Sequence, residues 1–320
     1  MTPGVPERIS YRHLVSIGAN MAASGSVAKA LDKRVLVWGA YGWIGSQVVQ
    51  AWPGSERGWE SVVPAASRLE EIDACVAELD RVQPTHVVIA AGLTGRPTVD
   101  WCEDHKAETL AVNFAGTLLL ANECSRRGLR CCILGSGCVF EHDEEHPNVA
   151  DDHLGWKERD KPNFVGSFYS RTKAALETNL PLSSVLYLRI RMPVTGDGSP
   201  RCLLTKLAGY KGHVVDGLHN SITFLPDLVS AVPELLQTTR GILNFVQPNG
   251  LTHRQILTLA LGDEAVKEYT FVTKEEGAAL TKAPRSNCVL NTAELGLAMG
   301  QSKLKLRTAE ECLRGLRKDT

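Results

Sequence analysis

The sequence predicts an α/β chain: a parallel sheet with helices on both faces, followed by a smaller C-terminal lobe. Three observations lead there. Short apolar, β-rich runs alternate with helical periodicity from Lys33 to about Arg191. A glycine-punctuated turn, Gly39-Ala-Tyr-Gly-Trp-Ile-Gly45, lies between the first strand and the first helix. Beyond Arg191, breakers at Pro193, Gly196, Gly198 and Pro200 loosen the alternation.

Taken in order, strands are expected at residues 35–38, 61–65, 86–90, 130–135 and 185–190, each a brief run rich in Val, Ile or Leu. Helices are expected between them at 46–52, 69–82, 107–126 and 167–180. The polar segment 141–163, rich in Asp, His and Pro, reads as a loop. Helical stretches follow near 203–210, 225–237, 253–261 and 309–317, with one strand at 242–246 returning to the sheet. The 320 residues suit roughly two domains of about 150. Their division is a flexible extension at 1–30, a nucleotide-binding domain at 31–191, and a substrate lobe at 192–320. Segments near 224–246 of that lobe interleave with the sheet.

Composition narrows the function. Hydrophobic residues are 43% and charged residues 22% of the chain, which is globular and neither disordered nor fibrous. Thirty-five basic against thirty-six acidic side chains give a net charge of -1, so no nucleic-acid footprint is expected. No apolar run approaches the roughly 20 residues of a membrane helix. The nine cysteines form no CxxC pair and no zinc spacing, so reduced thiols and no metal are expected. Oligomeric state is not legible in the sequence, which leaves a homodimer open.

The glycine turn sits where a Rossmann-type, doubly wound fold needs it. Gly39, Gly42 and Gly45 allow a tight bend and close backbone approach to a pyrophosphate, which the helix N-terminus then binds. Tyr41, Trp43 and Ile44 fill the same turn, and Ala90, Ala91 and Gly92 end the third strand beside it. The second strand runs into Ala65-Ala-Ser-Arg-Leu69, with no acid before Glu70 to hold the ribose hydroxyls of NAD. Arg68 instead suits a 2′-phosphate, so NADPH is expected over NADH.

Tyr169-Ser-Arg-Thr-Lys173 places Tyr169 and Lys173 side by side on one helix face. A cation about 5 Å from a phenol, at a dielectric of about 20, favours phenolate by roughly 3 kcal/mol. That would lower Tyr169 from about 10 toward about 8. With Ser136 ending an intervening strand, the set resembles the Ser-Tyr-Lys constellation of short-chain dehydrogenases/reductases, in their extended, nucleotide-sugar-modifying branch.

Longer runs carry a closer resemblance, from Val35 to about Leu295. They are Ala90-Ala-Gly-Leu-Thr-Gly-Arg-Pro-Thr-Val-Asp-Trp-Cys-Glu103, Gly137-Cys-Val-Phe-Glu141, Pro162-Asn-Phe-Val-Gly-Ser-Phe-Tyr-Ser-Arg-Thr-Lys173, Leu188-Arg-Ile-Arg-Met-Pro193 and Ala283-Pro-Arg-Ser-Asn287. They resemble the bifunctional UDP-4-keto-6-deoxy-D-glucose 3,5-epimerase/4-reductases that make UDP-L-rhamnose, relatives of dTDP-4-dehydrorhamnose reductase. The resemblance implies a cytoplasmic enzyme that inverts C3 and C5 of a 4-keto sugar and then reduces C4 with NADPH.

By the same resemblance, Tyr169 protonates the C4 oxygen, Lys173 holds the nicotinamide ribose, and Ser136 shares the enolate oxygen. Cys138 and Lys206 are the two epimerisation groups. Met192 joins the cofactor contacts, and Thr94, Arg96, Asn163, Arg285 and Asn287 are candidate substrate contacts. The Arg285 fork is expected on the diphosphate. Asn113 is expected to support the site from outside it. Two alternatives stay open at this point: a reductase without epimerase activity, and a non-catalytic NADP-binding regulatory subunit. Against the latter, Ser136, Tyr169 and Lys173 are all retained.

Overall fold

The computed structural model describes residues 33–53, 59–300 and 305–318. The extension expected at 1–30 lies outside the described residues. The chain opens with β1 (Arg34–Trp38), α1 (Trp43–Ala51), β2 (Ser61–Pro64), α2 (Ile72–Val82) and β3 (His86–Ile89). Next come a single turn α3 (Trp101–Asp104), α4 (Lys106–Leu110), α5 (Thr117–Arg126) and β4 (Arg130–Leu134). α6 (Phe168–Asn179) and β5 (Val185–Arg189) complete the regular alternation. The remainder holds α7 (Leu203–Gly209), β6 (Val214–Val215), α8 (Leu225–Thr238), β7 (Gly241–Asn244) and α9 (His253–Leu261). After these come α10 (Asp263–Val266), β8 (Phe271–Val272), α11 (Lys274–Ala278), α12 (Ala293–Met299) and α13 (Ala309–Lys318).

Six strands form one sheet in the order β2-β1-β3-β4-β5-β7, every pair parallel. β2 lies on one side of β1 and β3 on the other. The carboxyl ends of β1 and β3 therefore flank the crevice where such sheets bind ligands. β6 and β8 make a separate parallel pair.

Strand alternation builds two cores from one sheet. Val35, Val37, Val88, Leu186 and Leu188 pack with Val48 of α1 and with Leu228 and Leu235 of α8. Leu36, Trp38, Val87, Ile89 and Tyr187 point the other way, against Leu79, Leu120 and Leu176. A further cluster around Val194, Leu207, Ile256, Leu257 and Leu313 holds the C-terminal elements together.

One element differs from the sequence expectation. The helix expected over 107–126 is interrupted by a π turn at Ala111–Gly116. There Thr117 Oγ1 bonds the Val112 carbonyl, and Asn113 is held to the Leu93 backbone through both its Oδ1 and Nδ2. Gly116 lies so close to Leu69 that a Cβ would meet the Leu69 carbonyl at 2.1 Å. π turns of this kind recur near functional sites. Residues 141–163 form the expected loop, anchored where buried Trp156 stacks between Phe140 and His146. Buried Asp152 accepts hydrogen bonds from Thr292 and from the Asn249 N–H. No helix among the described residues is long and apolar enough to cross a membrane.

Candidate active site

A cavity of about 1080 Å³ opens at the carboxyl ends of β1 and β3. One end is the glycine turn. Gly39 has φ +80°, and a Cβ there would lie 2.4 Å from the Ala91 nitrogen. A Cβ on Gly45 would meet the Gly39 carbonyl at 2.1 Å. Glycine at both positions lets turn, helix and neighbouring strand close on each other. The α1 N-terminus carries no side-chain cap, so its first N–H groups stay open to an anion. Tyr41, Gly42, Trp43 and Ile44 line the cavity on this side, and Ala90, Ala91 and Gly92 line it from β3. Met192 also lines it, in the left-handed region at φ +41°. This uncapped helix start behind a glycine turn fits a dinucleotide pyrophosphate. Gly45 itself sits behind the turn.

At the end of β2, Ala66, Ser67 and Arg68 line the cavity. Arg68 is mostly exposed and paired with Glu70 at 2.6 Å. The acid missing from the β2 sequence is supplied from α2: buried Glu78 accepts from the Ala66 N–H, the Ser67 N–H and the Ser67 hydroxyl. Burial opposes its ionisation, yet these bonds hold its pKa below the ordinary value. Because Glu78 is spent on the loop, it fixes the backbone from behind while Arg68 stays at the surface.

α6 carries Tyr169 and Lys173. Ser167 caps it by accepting from the Ser170 N–H, and the Ser170 hydroxyl donates to the Cys138 carbonyl at 2.6 Å. Glu177 of α6 forms a buried pair with Arg189 of β5, which ties the helix to the sheet. Ser136 lines the cavity with Tyr169 and accepts from the Cys138 N–H at 3.1 Å. Tyr187 supports this loop from below, its hydroxyl accepting the Ser136 N–H. A Cβ on Gly135 would strike the Tyr187 ring at 2.1 Å.

The expected lowering of Tyr169 is not what the geometry gives. Both groups are deeply buried, and burial penalises each charged form. Burial raises the Tyr169 phenol well above its usual value, with Cys138 adding to the effect and Ser136 opposing it. Lys173 is pushed down to about 8 by burial, and its ammonium lies 6.0 Å from the Tyr169 ring centroid. Tyr169 is therefore a protonated phenol at neutral pH, beside a lysine that titrates near it.

The other wall brings Cys138 and Lys206 to the same cavity. All nine cysteines are free, and eight are buried while Cys138 is half-exposed. Burial lowers Lys206, with Arg201 adding to the shift and Cys138 opposing it. Arg201, which the sequence reading passed over, lines this wall with Thr94 and donates to the Thr94 hydroxyl at 3.3 Å. Among the described residues it has no carboxylate partner. Burial and nearby Arg96 disfavour its charge. A half-buried cation so placed invites an anionic ligand. Only its position in a Gly/Pro-broken loop next to the lobe could have flagged it.

Three candidate contacts are placed differently from the sequence expectation. Arg285 lines the cavity, but its fork is already bidentate to Asp100, at 2.8 Å for each bond. Arg285 in turn holds the Asp100 carboxyl well below the usual range. Asn163 is exposed and outside the cavity, its amide spanning the backbone of Glu141. Arg96 is exposed and does not line the cavity either. Asn287 does, held between Asn220 and the Arg285 carbonyl. Asn113 stands behind the wall, as expected of a support. Among the described residues no cluster of His, Cys, Asp or Glu could hold a metal ion.

Residues 35–180 match the NAD dependent epimerase/dehydratase family. The chain is 39% identical over 280 residues to a bifunctional dTDP-4-dehydrorhamnose 3,5-epimerase/dTDP-4-dehydrorhamnose reductase from Arabidopsis thaliana, covering 86% of this chain and 90% of that one. The L780 UDP-rhamnose synthase of Acanthamoeba polyphaga mimivirus superposes with a TM-score of 0.79 at 30% identity, covering 90% of this chain and 99% of that one. A dTDP-4-dehydrorhamnose reductase from Bacillus anthracis, solved with NADP, shares the fold at a TM-score of 0.70 and 17% identity, covering 92% and 100%. The chain belongs to the family of bifunctional nucleotide-sugar 3,5-epimerase/4-keto-reductases, and is an enzyme of that family.

Proposed function

We propose that the chain converts UDP-4-keto-6-deoxy-D-glucose to UDP-L-rhamnose, using NADPH. One observation carries this reading: Ser136, Cys138, Tyr169, Lys173 and Lys206 open on one cavity that is continuous with the glycine turn. The homologous UDP-rhamnose synthase supports UDP as the nucleotide.

Protons on C3 and C5 are acidic because both carbons adjoin the C4 ketone. A base removes one, the electron pair moves onto the C4 oxygen, and an acid returns a proton to the opposite face. Cys138, in the loop after β4, and Lys206, on α7, bring two proton-transfer groups to the cavity from separate segments of the chain. Lowering of Lys206 by burial raises its neutral fraction and hence its use as a base. Ser136 and Tyr169 donate to the C4 oxygen as negative charge gathers there. When bound along the turn, NADPH supplies hydride to C4. Tyr169 then gives its proton to the new alkoxide, and Lys173 stands next to it to restore that proton. Arg201 takes the substrate diphosphate, because the Arg285 fork is occupied.

The test is NMR of the product formed from UDP-4-keto-6-deoxy-D-glucose and NADPH. UDP-L-rhamnose is expected from this chain alone. Product that forms only when a separate epimerase is added would contradict the epimerase half.

NADPH preference rests on Arg68. Arg68→Ala is expected to weaken NADPH binding about tenfold, the lower end for a charge-assisted contact at an exposed site, with NADH little changed. Comparison of KM for the two cofactors decides it, and unchanged values for both would remove Arg68 from cofactor choice. The reading places the enzyme in the cytoplasm, where its free thiols stay reduced.

A further inference from the structure

The cavity continues past Lys206 and Arg201 into the C-terminal elements, where Tyr210, Val215, His253 and Leu280 line it. No step of the reaction uses this end. His253 is the first residue of α9, whose start is fixed by a capping box between Thr252 and Gln255. Its Nδ1 lies 2.7 Å from the Val215 carbonyl. A carbonyl can only accept, so Nδ1 carries the proton and the neutral ring presents a lone pair at Nε2. Burial favours that neutral ring by lowering the imidazole pKa. Nε2 has no protein partner among the described residues, and it is not one of the sealed, unsatisfied side-chain nitrogens. α11 packs closely on β6 here: a Cβ on Gly277 would lie 2.1 Å from Val215 Cγ2.

We propose that His253 reads the base of the sugar nucleotide, its Nε2 accepting the ring N3–H of a 2,4-dioxopyrimidine, uracil or thymine. This rests on the nucleotide-sugar reading above and deepens it. The same position on cytosine is an acceptor, so two lone pairs would face each other and both would lose their partners. The cations at Arg201 and Lys206 line the same cavity and are available to the diphosphate that joins base to sugar. His253 is thus a specificity residue for the base and indifferent to the 5-methyl group.

The experiment is calorimetric binding of UDP and of CDP to the full chain, with no turnover required. Wild-type protein is expected to bind UDP at least about tenfold more tightly than CDP, the size of one buried acceptor left unmatched. His253→Leu brings the ratio close to one by weakening UDP. His253→Gln does so as well, because its amide can turn to donate to the cytosine ring nitrogen, and this milder variant decides the matter if the leucine variant does not fold. Equal binding of UDP and CDP by wild-type protein, or a UDP preference that survives either substitution, would overturn the assignment. Such a result would leave the proposed reaction standing. Failure of the reaction itself would appear as absence of product with UDP-4-keto-6-deoxy-D-glucose, whatever the nucleotide ratio.

Discussion

Tyr169→Phe is expected to cut NADPH oxidation about 10²- to 10⁴-fold, the range contributed by a positioned proton donor. The substitution removes one oxygen from a buried ring and leaves its packing in place. A phenol held above its usual pKa is fully protonated when the alkoxide forms at C4. Deuterium uptake at C3 and C5 in heavy water should continue, because Cys138 and Lys206 are untouched and Ser136 still faces the enolate oxygen. Absorbance decay of NADPH gives the first quantity and NMR of the sugar gives the second. Undiminished oxidation would remove Tyr169 from the reduction.

Cys138→Ala should separate the two halves of the reaction. Solvent deuterium is expected to enter the sugar at only one of C3 and C5, with exchange at the other falling about 10²-fold or more. Reduction of a substrate epimerised beforehand should persist, since Tyr169, Ser136 and Lys173 remain. Cys138 is half-exposed, so losing its sulfur leaves no sealed core cavity. The Ser136 and Ser170 bonds to this residue use its backbone N–H and carbonyl, which alanine keeps. Full exchange at both carbons in this variant would exclude the thiol from epimerisation.

Much of this was legible because it is local in sequence. The glycine turn, the Tyr-x-x-x-Lys spacing and the alternation of strands with helices each span a few residues. What escaped depends on distant partners. Glu78 reaches the Ser67 amide across 11 positions, and Asp100 takes the Arg285 fork across 185. The first hid the acid at the β2 end, and the second turned a free phosphate clamp into an internal ion pair. The π turn at Asn113 was invisible to a 3.6-residue period. The Tyr169 expectation failed for a different reason: spacing fixes the distance to a cation but carries no information on burial, and burial dominates the shift.

A structure with NADP⁺ bound tests the central claim most directly. The pyrophosphate is expected along Gly39–Gly45 over the open end of α1, with the nicotinamide ring beside Tyr169 and Lys173 and facing Cys138 across the cavity. A nicotinamide lying away from the Tyr169 hydroxyl, or a dinucleotide bound elsewhere on the sheet, would contradict the account.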